Sequence, residues 1–126
     1  HKAEDAGREV HRPSQHAREH KLRVVMRRVL RLAPSVVLHA ALAFAIGDSA
    51  AGYAALSVLP DGAEVVTVEM KINLLSPAVG DRLVAEGRVI RPGRRIVAVA
   101  SDVFAEGAQG RKHVATMLGT MVPVEG

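Results

Sequence analysis

Asp48 stands in the middle of LHAALAFAIGDSAAGYAALSVL, residues 38–59, a run otherwise almost wholly apolar or small. A carboxylate inside a buried segment is costly unless it is paired or hydrogen-bonded. From the residues alone two readings of Asp48 stay open. It is a structural carboxylate tied to a backbone group or an arginine, or it is kept for proton transfer or nucleophilic attack. A second candidate is HAREH, residues 16–20, which has the H-x-x-E-H form of an inverted zinc-protease motif. On a helix, His16 and His20 would share a face and Glu19 could act as base. The segment is polar, follows Pro13 closely and offers no third ligand, so it reads as a solvated charged arm and no metal site is expected. Arg23, Arg27 and Arg31 would form a basic stripe on a helix. No aromatic residue interrupts it and no nucleic-acid motif accompanies it, so no nucleic-acid partner is expected. The chain has no cysteine, which removes disulfides, a thiolate nucleophile and thiolate metal ligands.

These residues need elements to hold them. The chain of 126 residues is the length of one domain and can bury a real core. Apolar residues make up 48% of it, yet Phe44, Tyr53 and Phe104 are its only aromatics, so the core must rest on Val, Leu, Ile and Ala. Charge is uneven: residues 1–35 carry nine Lys/Arg and four Asp/Glu, whereas residues 36–126 carry eight and nine. The first third therefore holds the whole positive excess and reads as a basic arm, with residues 36–126 as the domain proper. Within the arm, KLRVVMRRVLRL, residues 21–32, fits a helix or a first strand equally well by period. The absence of cysteine fits a reducing compartment, no secretory pattern opens the chain, and a cytoplasmic location is expected.

Ala40 to about Val58 predicts a long helix, rich in alanine and stopped by Pro60-Asp61-Gly62. A membrane span is rejected, because Asp48 near the bilayer midplane would cost about 3 kcal/mol. Ala41, Ala45, Ser49 and Gly52 form a small-residue stripe that would let a sheet or another helix approach closely. Leu42, Ile46, Tyr53 and Leu56 supply bulk beside it. Four strands are predicted next, at about 63–75, 81–91, 94–106 and 113–124, as a meander joined by short turns, with a tight hairpin at Pro92-Gly93. One long central helix wrapped by a curved antiparallel sheet of about five strands is an α+β architecture.

The chain resembles the hotdog-fold acyl-CoA thioesterases of the phenylacetate-degradation, 4-hydroxybenzoyl-CoA thioesterase-like type. Their helix signature is His-Gly-Gly, six residues, then Asp. Here His39-Ala40-Ala41 is followed by LAFAIG and Asp48. VVTVEMKINLLSPAVGDRLVAEGRVIRPGRR, SDVFAEG and ATMLGTM resemble the family's strands in their usual order, so the likeness covers residues 36–126. Two departures stand out: Ala40-Ala41 replaces the glycine pair, and LAPSVVL before His39 lacks the Asn or Gln that many relatives carry there.

The resemblance implies an acyl-CoA thioesterase that hydrolyses a thioester to a free acid and coenzyme A, which enters as part of the substrate and not as a cofactor. It gives Asp48 the role of nucleophile or general base. The backbone N–H of Ala40 or Ala41 would be the oxyanion donor at the helix amino end, where N–H groups are unpaired. Alanine keeps that N–H and adds a methyl group that narrows the acyl channel. Thr67 would sit near the carboxylate, His39 would orient the loop or touch substrate, and Arg91, Arg94 and Arg95 would meet coenzyme A phosphates. The plain alternatives are a strand threonine, a structural histidine and solvated hairpin charges. Ala40 and Asp48 are eight residues apart, about 12 Å along a helix, too far to touch one carbonyl together. Two antiparallel helices across a two-fold axis would bring them together, so a homodimer, or a dimer of dimers, is expected. Two other readings are a hotdog dehydratase or hydratase, which would need a histidine working with the carboxylate, and a non-catalytic acyl-CoA binder blocked by Ala40-Ala41.

Overall fold

The structure, a computed structural model, describes residues 22–26 and 36–125, with helix side chains from His39 onward. The HAREH motif, the arginines at 27 and 31, and the remainder of the first 35 residues lie outside the described residues. The elements run β1 (Leu22–Met26), α1 (Val36–Leu56), β2 (Glu64–Leu74), β3 (Arg82–Arg91), β4 (Val97–Gly107) and β5 (Gly110–Val124). The open choice at residues 21–32 resolves as strand for Leu22–Met26. Leu22, Val24 and Met26 are half-buried there, and Arg23 and Val25 are exposed.

The five strands form one antiparallel, curved sheet in the order β1-β3-β4-β5-β2, with α1 packed across one face. This corrects the expected meander. Only β3, β4 and β5 are consecutive neighbours, and β2 pairs with β5 at the far edge. The chain must therefore cross from that edge back to β3. Turns also differ from expectation. Pro92-Gly93 opens a five-residue connection to Val97, whereas β4 and β5 are joined by only Ala108 and Gln109. Gly110 closes that turn at φ 104°, a conformation that glycine adopts without strain.

Alanine lets α1 lie close to the sheet. Its buried face is Ala43, Ile46, Ala50, Ala51, Ala54 and Ala55. Of these, Ala43, Ile46, Ala50, Ala51 and Ala55 cluster with Leu83, Ala85, Val97, Val99, Val103, Met117 and Met121 from the sheet. A Cβ on Gly87 would fall 2.3 Å from the Ala50 carbonyl, so the helix backbone rides directly on that glycine. The stripe Ala41, Ala45 and Ser49 is exposed, with Gly52 half-buried. It faces away from the chain's own sheet, and so does Tyr53, 58% exposed and not part of the core. Among the described residues no helix is long and apolar enough to cross a membrane.

Candidate active site

The helix turns Asp48 to the boundary between its buried face and its open one, beside the edge strand β2. There the Thr67 hydroxyl donates a 2.7 Å hydrogen bond to Asp48 Oδ1. The side chain of Asp48 is half-buried, and among the described residues no arginine or lysine pairs with it. Oδ1 is thus held by a neutral hydroxyl rather than by a cation.

A β-bulge makes this contact possible. Thr67 pairs with Met121 and Glu69 with Thr120, so Val68 is the extra residue. Before the bulge, Val65 and Thr67 face the helix; after it, Met70 and Ile72 do. Strict alternation from Thr67 would instead have put Glu69 and Lys71 inward. Glu69 points to the other face, where it accepts a hydrogen bond from Thr120.

The predicted residues fall into two separate groups. The register links Thr67 to Met121 and Met121 to Val97, in one row across β2, β5 and β4. Two strand spacings, about 10 Å, separate Thr67 from Val97. Arg94 and Arg95 belong to the connection entering β4 at Val97, and Arg91 ends β3; all three are exposed. They lie toward the Asp48 end of the molecule. The second group is His39, Ala40 and Ala41, two turns back along α1. His39 and Ala40 are half-buried and Ala41 is exposed. One chain does not bring the two groups together.

The helix starts earlier than Ala40, at Val36. A regular helix bonds each N–H to the carbonyl four residues back. Ala40 and Ala41 are then in the second turn, and the unpaired N–H groups of the helix end belong to the turn before them.

A polar cluster that the sequence did not disclose lies on the opposite face of the sheet. Asp102 accepts from Arg88 at 2.7 Å and sits 3.0 Å from His113 Nε2. His113 stacks on Phe104, and the Arg111 guanidinium lies 3.5 Å over the same ring. Burial pushes the Asp102 carboxyl up, but hydrogen bonds from Thr116 and Arg88 and the charges of Arg88 and His113 outweigh it and hold the pKa low. Every partner here is spoken for, so the cluster reads as cross-strand support. Among the described residues no group of three or more His, Asp or Glu could hold a metal ion.

Residues 36–110 match the Thioesterase superfamily. A thioesterase family protein from Silicibacter pomeroyi is 30% identical, with a TM-score of 0.73 over 84% of this chain and 79% of that one. The Bacillus halodurans protein BH2602, solved with CoA, is 28% identical, with a TM-score of 0.62 over 68% of this chain and 55% of that one. A presumptive esterase of Saccharolobus solfataricus, SSO2140, is 35% identical over 79 residues, 62% of this chain. The match spans little more than half of that curated relative, 56% of its length. With its helix laid across a curved five-stranded sheet in the hotdog arrangement, the chain belongs to the thioesterase superfamily.

Proposed function

We propose that the protein is an acyl-CoA thioesterase in which Asp48 is the reacting carboxylate. The observation that carries this is the Thr67–Asp48 hydrogen bond on the open helix face, in a chain of this superfamily. Thr67 fixes Oδ1, and Oδ2 faces the thioester carbonyl. As a base, Asp48 takes a proton from water while the water oxygen attacks the carbonyl carbon. As a nucleophile, it bonds to that carbon itself and water hydrolyses the resulting anhydride. Either way the C–S bond breaks and coenzyme A leaves as its thiolate, which then takes up a proton.

The developing oxyanion is held by backbone N–H groups at the amino end of α1 from a second copy. The two groups of site residues are complementary across a two-fold axis, and a two-fold dimer repeats the contact at both sites. The exposed small stripe of α1 and the edge strand β2 are the surfaces that would meet. Arg91, Arg94 and Arg95, all exposed, would hold the coenzyme A phosphates, for which the guanidinium fork is suited. The CoA bound to the Bacillus halodurans relative supports that ligand class.

A second reading is favoured by the helix start. If Ala40 and Ala41 keep their second-turn hydrogen bonds, the oxyanion donors sit one turn earlier and the protein binds acyl-CoA without turnover. Free-thiol release from a panel of acyl-CoA thioesters separates the two. The hydrolase reading expects turnover of at least one thioester, with kcat lower by about a hundredfold in Asp48→Asn and Asp48→Ala, a loss of about 2.7 kcal/mol. Binding without turnover in the wild type would establish the second reading, and restored turnover in an Ala40→Gly, Ala41→Gly variant would locate its cause.

A further inference from the structure

The face of the sheet turned away from α1 is unevenly furnished. Toward the β4–β5 turn its charges are matched: Arg82 with Glu106, Arg111 with Glu86 and Glu106, and Arg88 with Asp102. Next to the last of these pairs a groove of about 210 Å³ opens. Its floor is Ala100, which alternation with the core residue Val99 turns outward, yet which is only 4% exposed. Arg88 pairs with Ala100, Ala100 with Leu118 and Leu118 with Lys71, so one row across four strands makes floor and walls. An alanine among three long side chains leaves the hollow. The neighbouring row adds Asn73 and Thr116. Ile90 adds an apolar wall; it is the extra residue of a bulge in β3, between the Val89–Val99 and Arg91–Ala98 pairs.

The lining has an apolar part and a charged part. Ile90 and Leu118 are each 53% exposed and flank the Ala100 floor. Arg88 gives one N–H to Asp102 Oδ2 at 2.7 Å, and the two charges cancel. His113 and Thr116 also engage Asp102. Glu69, two residues from Lys71 on β2, accepts from Thr120 at 2.6 Å. Among the described residues no ion pair or hydrogen bond engages the side chain of Lys71 or of Asn73. The lining is thus left with one uncompensated charge, the Lys71 ammonium, beside an open amide and an apolar floor.

We propose that this groove is a second ligand site, for a small amphipathic monocarboxylate. The carboxylate head meets the Lys71 ammonium and the Asn73 amide, and the apolar body lies on Ala100 between Ile90 and Leu118. The size of the body follows from the volume. A dry cavity of about 150 Å³ takes benzene, so this groove takes a body of about six carbons. The charge of the head follows from the lining. One uncompensated cation matches a monoanion, whereas a dianion such as a phosphate monoester would carry a second charge with no partner. The sheet separates the groove from Asp48, which stands on the helix side, so the site is independent of the chemistry assigned to that carboxylate.

The test is an NMR titration of the full chain, labelled at its Ile and Leu methyl groups, with hexanoate, acetate, hexanol and hexyl phosphate. Hexanoate should move the Ile90 and Leu118 methyl signals and leave those of Leu42 and Ile46 on α1 in place. It should bind about tenfold tighter than acetate, through its apolar body, and about fivefold tighter than hexanol, through its charge. Hexyl phosphate should gain nothing over hexanoate. Lys71→Ala should weaken hexanoate about fivefold and leave hexanol within about twofold. Leu118→Glu sets an acid beside the head at an exposed position and should weaken hexanoate by about tenfold or more. Hexanoate that binds no tighter than acetate or hexanol, shifts that fall on Leu42 and Ile46 instead, tighter binding of hexyl phosphate, or an affinity that survives Lys71→Ala and Leu118→Glu would each overturn the proposal. No thioester enters the titration, so its result stands whether or not the protein turns one over.

Discussion

Thr67 contributes to the candidate site only through one hydroxyl, which makes its role separable from that of Asp48. Thr67→Ala should lower kcat by about tenfold, the value of one hydrogen bond to a charged group, and Thr67→Ser should restore it to within about twofold. A strand threonine of structural value only would lower Tm and leave kcat alone. The two residues are 19 apart in sequence, and no spacing rule links them. The pairing was expected only by resemblance to the thioesterases. The Asp102 cluster was not expected at all, because its members lie on three strands and meet only through register. Asp102 has a folded pKa below its ordinary value, so its contribution to stability is present above about pH 3.9 and fades as pH falls through the lower folded value. Asp102→Asn should therefore cost Tm at pH 7 and cost progressively less below pH 4, as followed by thermal melts across pH. An equal loss at both ends would show that the carboxylate charge is not what the cluster uses.

The helix–sheet contact is the element most sensitive to volume. Gly87 has the Ala50 carbonyl where a Cβ would sit. Gly87→Ala should destabilise by about 3 kcal/mol, the upper range for overpacking, as read by denaturant midpoint. Gly47→Ala should cost less, because the group in its way is the flexible Met117 thioether. Both glycines read in the sequence as no more than breaks in an apolar pattern. The presence and type of every described element except β1 were legible: an alanine-rich run between prolines gives one helix, and β-branched runs between turn residues give strands, whereas residues 21–32 fit helix and strand equally. Strand order was not, since the pairing of β2 with β5 is a tertiary choice that no local pattern encodes. The bulge at Val68 did leave a trace. Glu69, Lys71 and Asn73 alternate out of phase with Glu64 and Val66, and a phase break inside an otherwise regular strand is the sign of an inserted residue.

At the scale of the whole molecule, the proposed site is split along one chain, and a helix face exposed among the described residues lies between its two groups. Ala45 lies on that face and is exposed among the described residues. Ala45→Arg should change the stability of an isolated protomer by less than about 0.5 kcal/mol. In the proposed dimer it buries a charge between two helices, so sedimentation should show monomers and thiol release should vanish together. A variant that stays dimeric and active would move the interface elsewhere. The bulge at Val68 also bears on how this edge tolerates change. It works as a frame marker: the residues on either side are read in opposite parity, and one extra residue keeps both readings correct. Deleting Val68 alone would let the ladder close without a kink, and because Glu69 would then follow Thr67 directly, Thr67, Met70 and Ile72 would stay on the helix face and Glu69 and Lys71 off it. A deletion farther on, between Met70 and Leu74, with the bulge kept, would instead reverse the facing of every residue after it. A one-residue gap at 68 thus marks relatives that keep the hydroxyl–carboxylate pair on an unbulged strand.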